Sequence, residues 1–285
     1  MDQQQRIARQ RQIAAELRVA DHFDAAREIE RRVAFLADYL RANGLSAYVL
    51  GISGGVDSST AGRLAQLAVE RLRGAHYDAR FVAMRLPHGV QHDEQDAQQS
   101  LAFIRADETL SVDIRPAADA MLASLAASGL HYADESQQDF VHGNIKARQR
   151  MIAQYAVAST RRGIVIGTDH AAESVMGFFT KFGDGGADVL PLAGLTKRRV
   201  RALAKALGAN DSLVHKVPTA DLETLRPQRP DEDAYGIRYD DIDDFLEGAP
   251  VSEAVFDTVM RFYDATPHKR ALPYTPFDRP ALTEG

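Results

Sequence analysis

The chain has 285 residues, 45% of them hydrophobic and 26% charged, a formal net charge of −6 at pH 7, and no cysteine. This composition supports a sizeable core rather than disorder, and the lack of cysteine excludes disulfides, thiolate catalysis and cysteine-ligated metals. No stretch reaches the ~20 apolar residues of a membrane span, the polar start Met1-Asp2-Gln3-Gln4-Gln5-Arg6 is no secretory signal, and the acidic balance disfavours nucleic acid, so the expectation is a cytoplasmic protein with neither membrane nor nucleic-acid partners.

Residues 4–23 read as a helix of mixed polarity. In 23–43, Ile29, Val33, Leu36 and Leu40 recur at three- and four-residue steps, an amphipathic helix stopped at Asn43-Gly44. Residues 47–53 form a short apolar strand, a glycine turn follows, and Ala61, Leu64, Ala65, Ala68 and Leu72 mark a helix over 58–72. Further strands are expected at 79–86, 110–114 and 163–167, and further helices at 94–104, 117–127, 140–161 and 197–207, the last stopped by Gly208. Short strands alternating with helices predict an α/β fold, a parallel twisted sheet flanked by helices on both faces.

There is no internal repeat. The chain reads as one unit, 1–285: N-terminal helices over 1–45, a core over about 46–210, and a mobile loop with a C-terminal segment over about 211–285. Right-handed crossovers bring the strand C-termini to one edge, where such sheets bind ligands. The turns after Ile52 and Ile166 both fall there. Residues 182–195, rich in glycine and aspartate, read as a functional loop, and 219–233, with prolines and many charges, as a segment mobile without ligand.

The turn Gly51-Ile52-Ser53-Gly54-Gly55-Val56-Asp57-Ser58 carries the strongest chemical signal. Gly54-Gly55 lets the backbone approach an anion, and the next helix offers unpaired N–H groups and its positive dipole end. Ser53 and Ser58 add hydroxyls. A carboxylate beside phosphate repels it unless a cation intervenes, so Asp57 points to Mg²⁺. The turn lacks the lysine of a Walker A loop and the spacing of a dinucleotide fingerprint. Gly-Gly alone would be an ordinary tight turn; the whole run is not.

Ser53-Gly54-Gly55-Val56-Asp57-Ser58 resembles the pyrophosphate loop of the N-type ATP pyrophosphatases. The resemblance implies a Rossmann-like fold of the adenine nucleotide alpha hydrolase type, and cleavage of ATP between its α and β phosphates. Gly143-Asn144-Ile145-Lys146-Ala147-Arg148-Gln149-Arg150-Met151 is by itself a basic helix face, with Lys146 and Arg150 on one side and Arg148 on another. It is similar to a helix of the NAD synthetases. Gly167-Thr168-Asp169-His170-Ala171-Ala172-Glu173, which alone reads as a strand end with a first-turn carboxylate, also resembles that family. The similarity extends over about 25–275 and is greatest to the short, ammonia-dependent forms. Val56 departs from them, since many carry Gln there.

The resemblance implies ATP and Mg²⁺, with Asp57 and Glu173 holding the metal. It implies that Gly51 to Ser58, Arg85, Thr168, Lys197 and Thr219 contact ATP. It implies that Arg148, Lys181, Asp188, His268 and Lys269 contact deamido-NAD⁺, and that Asp57, Glu173, Lys197 and Asp188 serve catalysis. His170, at a helix start, reads as structural. The family is a homodimer, and the 140–160 helix, with Ile145, Met151, Ile152, Tyr155 and Ala156, could supply an interface or an ordinary core. With no cysteine and no spare length for an amidotransferase, ammonia is the expected nitrogen donor. Two other readings remain: a different adenylating enzyme, acting on tRNA or forming GMP, and a catalytically dead nucleotide sensor.

Overall fold

The computed structural model describes residues 1–89, 94–219, 222, 224–225, 229–271 and 273–276. Two N-terminal helices open the chain: α1, Gln3–Glu16, capped by Asp2, and α2, Ala25–Ala42, capped by Asp24. The expected single helix to residue 23 stops early, because Arg18 takes the left-handed region, with φ of 59°.

The core follows as β1 (Ala47–Gly51), α3 (Val56–Gly74), β2 (Arg80–Arg85), α4 (Glu94–Ile104), β3 (Glu108–Ser111), α5 (Arg115–Ala127), α6 (Glu135–Thr160) and β4 (Gly163–Val165). Among the described residues the sheet has four strands, all parallel, in the order β3-β2-β1-β4, with Ala47 beside both Arg80 and Gly163. Residues 188–189 extend the sheet past β4 through the Ile166–Val189 bridge. Alternation along the strands separates two faces. Tyr48, Leu50, Phe81 and Ala83 pack under α2, α3 and α8 (Lys197–Ala206). Val49, Val82, Met84 and Val165 pack against α5 and α6.

Two elements differ from expectation for local reasons. The third strand begins at Glu108 rather than Leu110, because an edge strand tolerates polar side chains; Glu108 there accepts a hydrogen bond from Arg161 at 2.7 Å. The long helix starts at Glu135 rather than 140, where Asp134 accepts the Gln137 N–H at 2.8 Å.

A second apolar cluster joins α1 to α7 (Ala171–Met176), α11 (Tyr239–Leu246) and α12 (Glu253–Ala265) through Ile13, Val175, Tyr239, Phe245 and Val259. Two short helices, α9 (Asp211–Val214) and α10 (Asp231–Tyr235), and a 3₁₀ turn, Pro267–Lys269, complete the elements of the described residues. The mobile segment expected over 219–233 falls partly outside the described residues. Its ends meet in a Thr219–Pro230 bridge. Among the described residues no helix is long and apolar enough to cross a membrane.

Candidate active site

At the C-terminal edge of the sheet lies a cavity of about 440 Å³, lined by the turn after β1, the segments after β4, the face of α6 and residues 216–219. Gly54 makes the turn possible. Its φ is +85°, and a Cβ there would lie 3.1 Å from the backbone N of Ala97. Gly55 is the N-cap of α3 and supplies no side-chain cap, so the first amides of this 19-residue helix are left for a ligand. The hydroxyls of Ser53 and Ser58 sit 3.1 Å apart over the same turn. Gln154 on α6 accepts the Gly51 N–H at 2.7 Å and anchors the strand end.

Four residues from distant parts of the chain converge below the turn. The Lys197 ammonium donates to Asp57 Oδ2 at 2.7 Å and lies 4.0 Å from Glu173 Oε1. His170 Nε2 is 3.4 Å from Asp57 Oδ1 and 3.5 Å from Glu173 Oε1. Lys197 is fully buried, with its charge 4.8 Å from the Tyr239 ring centroid. Asp57 Oδ1 has no hydrogen-bond partner among the described residues.

These groups shift one another's protonation. Burial opposes the charge on Asp57, but Lys197 and then His170 outweigh it and hold the carboxyl well below its usual range. Burial, reinforced by the Asp57 charge, pushes Glu173 well above its own. Burial disfavours charge on Lys197 too, yet the two carboxylates keep it raised. Burial lowers His170, leaving a neutral imidazole. The two carboxyls are thus driven apart, Asp57 toward the charged form that pairs with Lys197 and Glu173 toward its protonated form, which is the pattern of two carboxylates sharing one site.

The N-terminus of α8 is fixed by Asp243, whose two oxygens accept the Lys197 and Arg198 N–H groups at 2.9 and 2.7 Å. His170 caps α7 through a 3.4 Å contact from the Glu173 N–H. It is thus both the structural residue expected from its helix start and a member of the charged cluster.

Gly51, Ile52, Ser53, Gly55, Val56, Asp57, Ser58, Thr168, Glu173, Lys197, Thr219 and Lys269 all line the one cavity. Gly54 shapes it from behind. Arg85 is buried just behind the wall, donating to Ile52 O at 3.0 Å and pairing with Glu94 at 2.9 Å. Lys269 donates to Gly177 O and Phe179 O at 2.8 and 2.7 Å. Arg148, Lys181, Asp188 and His268 stand outside the lining. Arg148 donates to Lys181 O at 3.2 Å, and Lys181 to His268 O at 2.7 Å, forming one chain of contacts on the surface. Asp188 is turned to the sheet, where it accepts the Val165 N–H at 2.7 Å.

The helix reading missed a stripe. Gly143, Ala147, Arg150 and Gln154, spaced at three and four residues, all face the cavity. That spacing is present in the sequence, where the basic residues of the same helix mask it. Lys146 serves the loop rather than the cavity, donating to Leu222 O at 2.9 Å and Thr224 Oγ1 at 3.0 Å. Asp184 and Asp231 also line the site; they fall in the 182–195 and 219–233 segments singled out in the sequence, but neither was picked out individually.

Comparison with known proteins agrees with this geometry. A family model described as NAD synthase matches residues 28–273. An NH(3)-dependent NAD(+) synthetase of Paraburkholderia phytofirmans is 75% identical over the whole of both chains. The crystal structure of NAD+ synthetase from Burkholderia pseudomallei superposes with a TM-score of 0.82 at 74% identity, covering 94% of this chain and 98% of that one. The structure of an NMN synthetase from Francisella tularensis superposes with a TM-score of 0.79 at 34% identity, covering 90% and 100%.

Proposed function

This chain belongs to the NAD synthase family, and from that premise we propose how its own residues carry the reaction. The chain is a ligase that uses ATP to convert deamido-NAD⁺ and ammonia to NAD⁺. A pyridine carboxylate resists ammonia because its leaving group would be oxide. Attack of that carboxylate oxygen on the α-phosphorus forms an acyl adenylate and expels pyrophosphate. Ammonia then attacks the acyl carbon, loses a proton, and expels AMP.

One observation carries the assignment of roles: Asp57, Lys197 and Glu173 meet beneath an uncapped α3 N-terminus that opens into the cavity. The free amides after Gly55, with Ser53, Ser58 and Lys197, would bind the β and γ phosphates and stabilise the charge that grows on leaving pyrophosphate. Gly51, Ile52, Gly54 and Val56 shape that turn, Thr168 and Thr219 flank the nucleotide, and Arg85 holds the turn through Ile52 O. Two carboxylates, one with an oxygen lacking a partner, suit an oxygen-seeking cation. Mg²⁺ held by Asp57 and Glu173 would supply charge neutralisation at the phosphates. A bound cation would favour the ionised form of Glu173, which burial disfavours, while His170 stays neutral and orients the pair.

We place deamido-NAD⁺ against Lys269 and the surface chain of Arg148, Lys181 and His268. Asp188, bound to the Val165 N–H, would position the 183–188 turn beside the substrate and help orient ammonia or deprotonate ammonium; full activity of Asp188→Asn at every pH would exclude the role in ammonia handling. A homodimer is proposed as well. Phe140 and Ile152 on α6, and Met121 on α5, are 59, 51 and 45% exposed, although Ile145 of the same helix is buried in the core. Sedimentation as a monomer would defeat that proposal. The enzyme would act in the cytoplasm.

The deciding assay measures AMP and pyrophosphate with ATP, Mg²⁺ and ammonium, with and without deamido-NAD⁺. AMP and pyrophosphate that appear only with deamido-NAD⁺ are expected. Release of ADP would overturn the mechanism. Faster turnover of nicotinate mononucleotide would assign the chain to the chemistry that the Francisella relative's name describes. Glutamine in place of ammonium should give no turnover.

A further inference from the structure

We propose that His88, Asp119 and His142 form a second metal site, for Zn²⁺ or a similar divalent transition ion, outside the nucleotide cavity. Asp119 Oδ1 lies 3.0 Å from His88 Nε2 and 3.1 Å from His142 Nε2, and the three atoms fall within 4.8 Å of one another. Bonds of about 2.0–2.1 Å to a tetrahedral zinc place neighbouring ligand atoms about 3.4 Å apart. Opening the two contacts to Asp119 by a few tenths of an ångström gives that separation, and the two imidazole nitrogens already lie within 4.8 Å of each other.

Hydrogen bonding alone does not explain the arrangement. His88 and Asp119 meet in an aligned contact, but His142 Nε2, though buried, has no hydrogen-bond partner among the described residues. Its nitrogen converges on the shared oxygen without an N–H pointing there. The two rings stand nearly perpendicular, 5.3 Å apart, so they do not stack on each other.

Each ligand comes from a rigid support. His88 follows β2, between Pro87, whose carbonyl accepts the Ile114 N–H at 2.9 Å, and Gly89, whose N–H donates to Asp113 at 3.0 Å. Asp119 is on α5 and His142 on α6. The imidazoles are largely covered, with side-chain exposures of 23 and 14%, while Asp119 is 51% exposed and leaves room for water at a fourth position. Two nitrogens and one carboxylate suit zinc and its neighbours and not Mg²⁺ or Ca²⁺, which take oxygen. The nearby Lys146 ammonium is engaged by Leu222 and Thr224. Leu86 and Gly143, close in sequence to His88 and His142, line the nucleotide cavity. An ion here would therefore pin two points of the cavity wall and act as a positioning site.

The test uses the full chain, free of any affinity tag, stripped with chelator and then given Zn²⁺ or Co²⁺. Bound metal is counted by mass spectrometry after desalting, and Co²⁺ is read by its visible absorption. The parent and the Asp57→Asn/Glu173→Gln double variant should each retain one equivalent at this site, with the strong bands of four-coordinate Co²⁺. His142→Ala and the milder Asp119→Asn should lose that equivalent while keeping the parent's circular dichroism. Zinc that disappears with Asp57→Asn/Glu173→Gln and persists in His142→Ala would overturn the proposal. So would a parent that retains no zinc.

Discussion

Replacing Lys197 by methionine tests the cluster most directly. The ammonium is 1% exposed and lies 2.7 Å from Asp57 Oδ2, whose side chain is 17% exposed. At that distance the attraction is about 6 kcal/mol for an effective dielectric of ~20, and desolvation of both groups offsets part of it. Without Lys197, Asp57 must either stay charged and buried or take a proton. Protonation at pH 7 from the ordinary value of 3.8 costs about 4.4 kcal/mol. That cost falls in the range of about 3–5 kcal/mol for breaking a buried pair. With an unfolding entropy of about 0.6 kcal/mol/K for 285 residues, Tm should fall by about 5–8 °C. Urea unfolding without divalent metal, at pH 7 and pH 5, reads this. The penalty should shrink by about 2–3 kcal/mol at pH 5, because the proton is then easier to acquire. Asp57→Asn should cost less, since Glu173, 4.0 Å from the ammonium, can ionise in its place. The double variant should be more stable than the sum of the singles by at least about 2 kcal/mol. A Lys197→Met cost under about 1 kcal/mol, or one equal at both pH values, would refute the electrostatic account. Turnover should fall at least about 100-fold with the loss of a charged donor to pyrophosphate.

Glu173→Gln should leave metal-free stability at pH 7 within about 1 kcal/mol of the parent, or above it, since glutamine copies the protonated acid; Mg²⁺ should then raise Tm in the parent only. The sign follows from the raised carboxyl: above about pH 4.5 the folded chain keeps a proton that the unfolded chain has lost, so parental stability declines as pH rises, and Glu173→Gln should flatten that decline. Asp243 behaves alike, with burial pushing it from 3.8 up to about 6, so Asp243→Asn should flatten the slope in that window. At pH 7 the same change should cost about 1–3 kcal/mol, because an amide NH₂ cannot accept a second backbone N–H of α8; unchanged urea unfolding would contradict it. Gly54→Ala should lose about 1–3 kcal/mol and weaken ATP binding measured by calorimetry, since φ of +85° and a Cβ 3.1 Å from Ala97 N strain the turn. ATP affinity equal to the parent's would show that the turn relaxes without consequence.

The strands, the helices around them and the glycine turn were legible in the sequence because their causes are local. Alternating burial, three- and four-residue apolar spacing and glycine at a left-handed position need only neighbours along the chain. The limits of that reading were local as well: polar Glu108 hid the start of the edge strand, and capping by Asp134 started α6 before its apolar pattern appeared. The resemblance of three motifs pointed to the family, and with it to Asp57, Glu173 and Lys197. Their protonation was not legible, because it arises from burial and from approach between residues that the topology draws together from the first turns of α3, α7 and α8. The same holds for His170, whose sequence context is a helix cap and whose ring the fold inserts between two carboxylates. It holds also for His88, Asp119 and His142, which lie after β2, on α5 and on α6 and share no spacing. Charge–charge energy depends on distance and local dielectric, and the tertiary structure alone decides both.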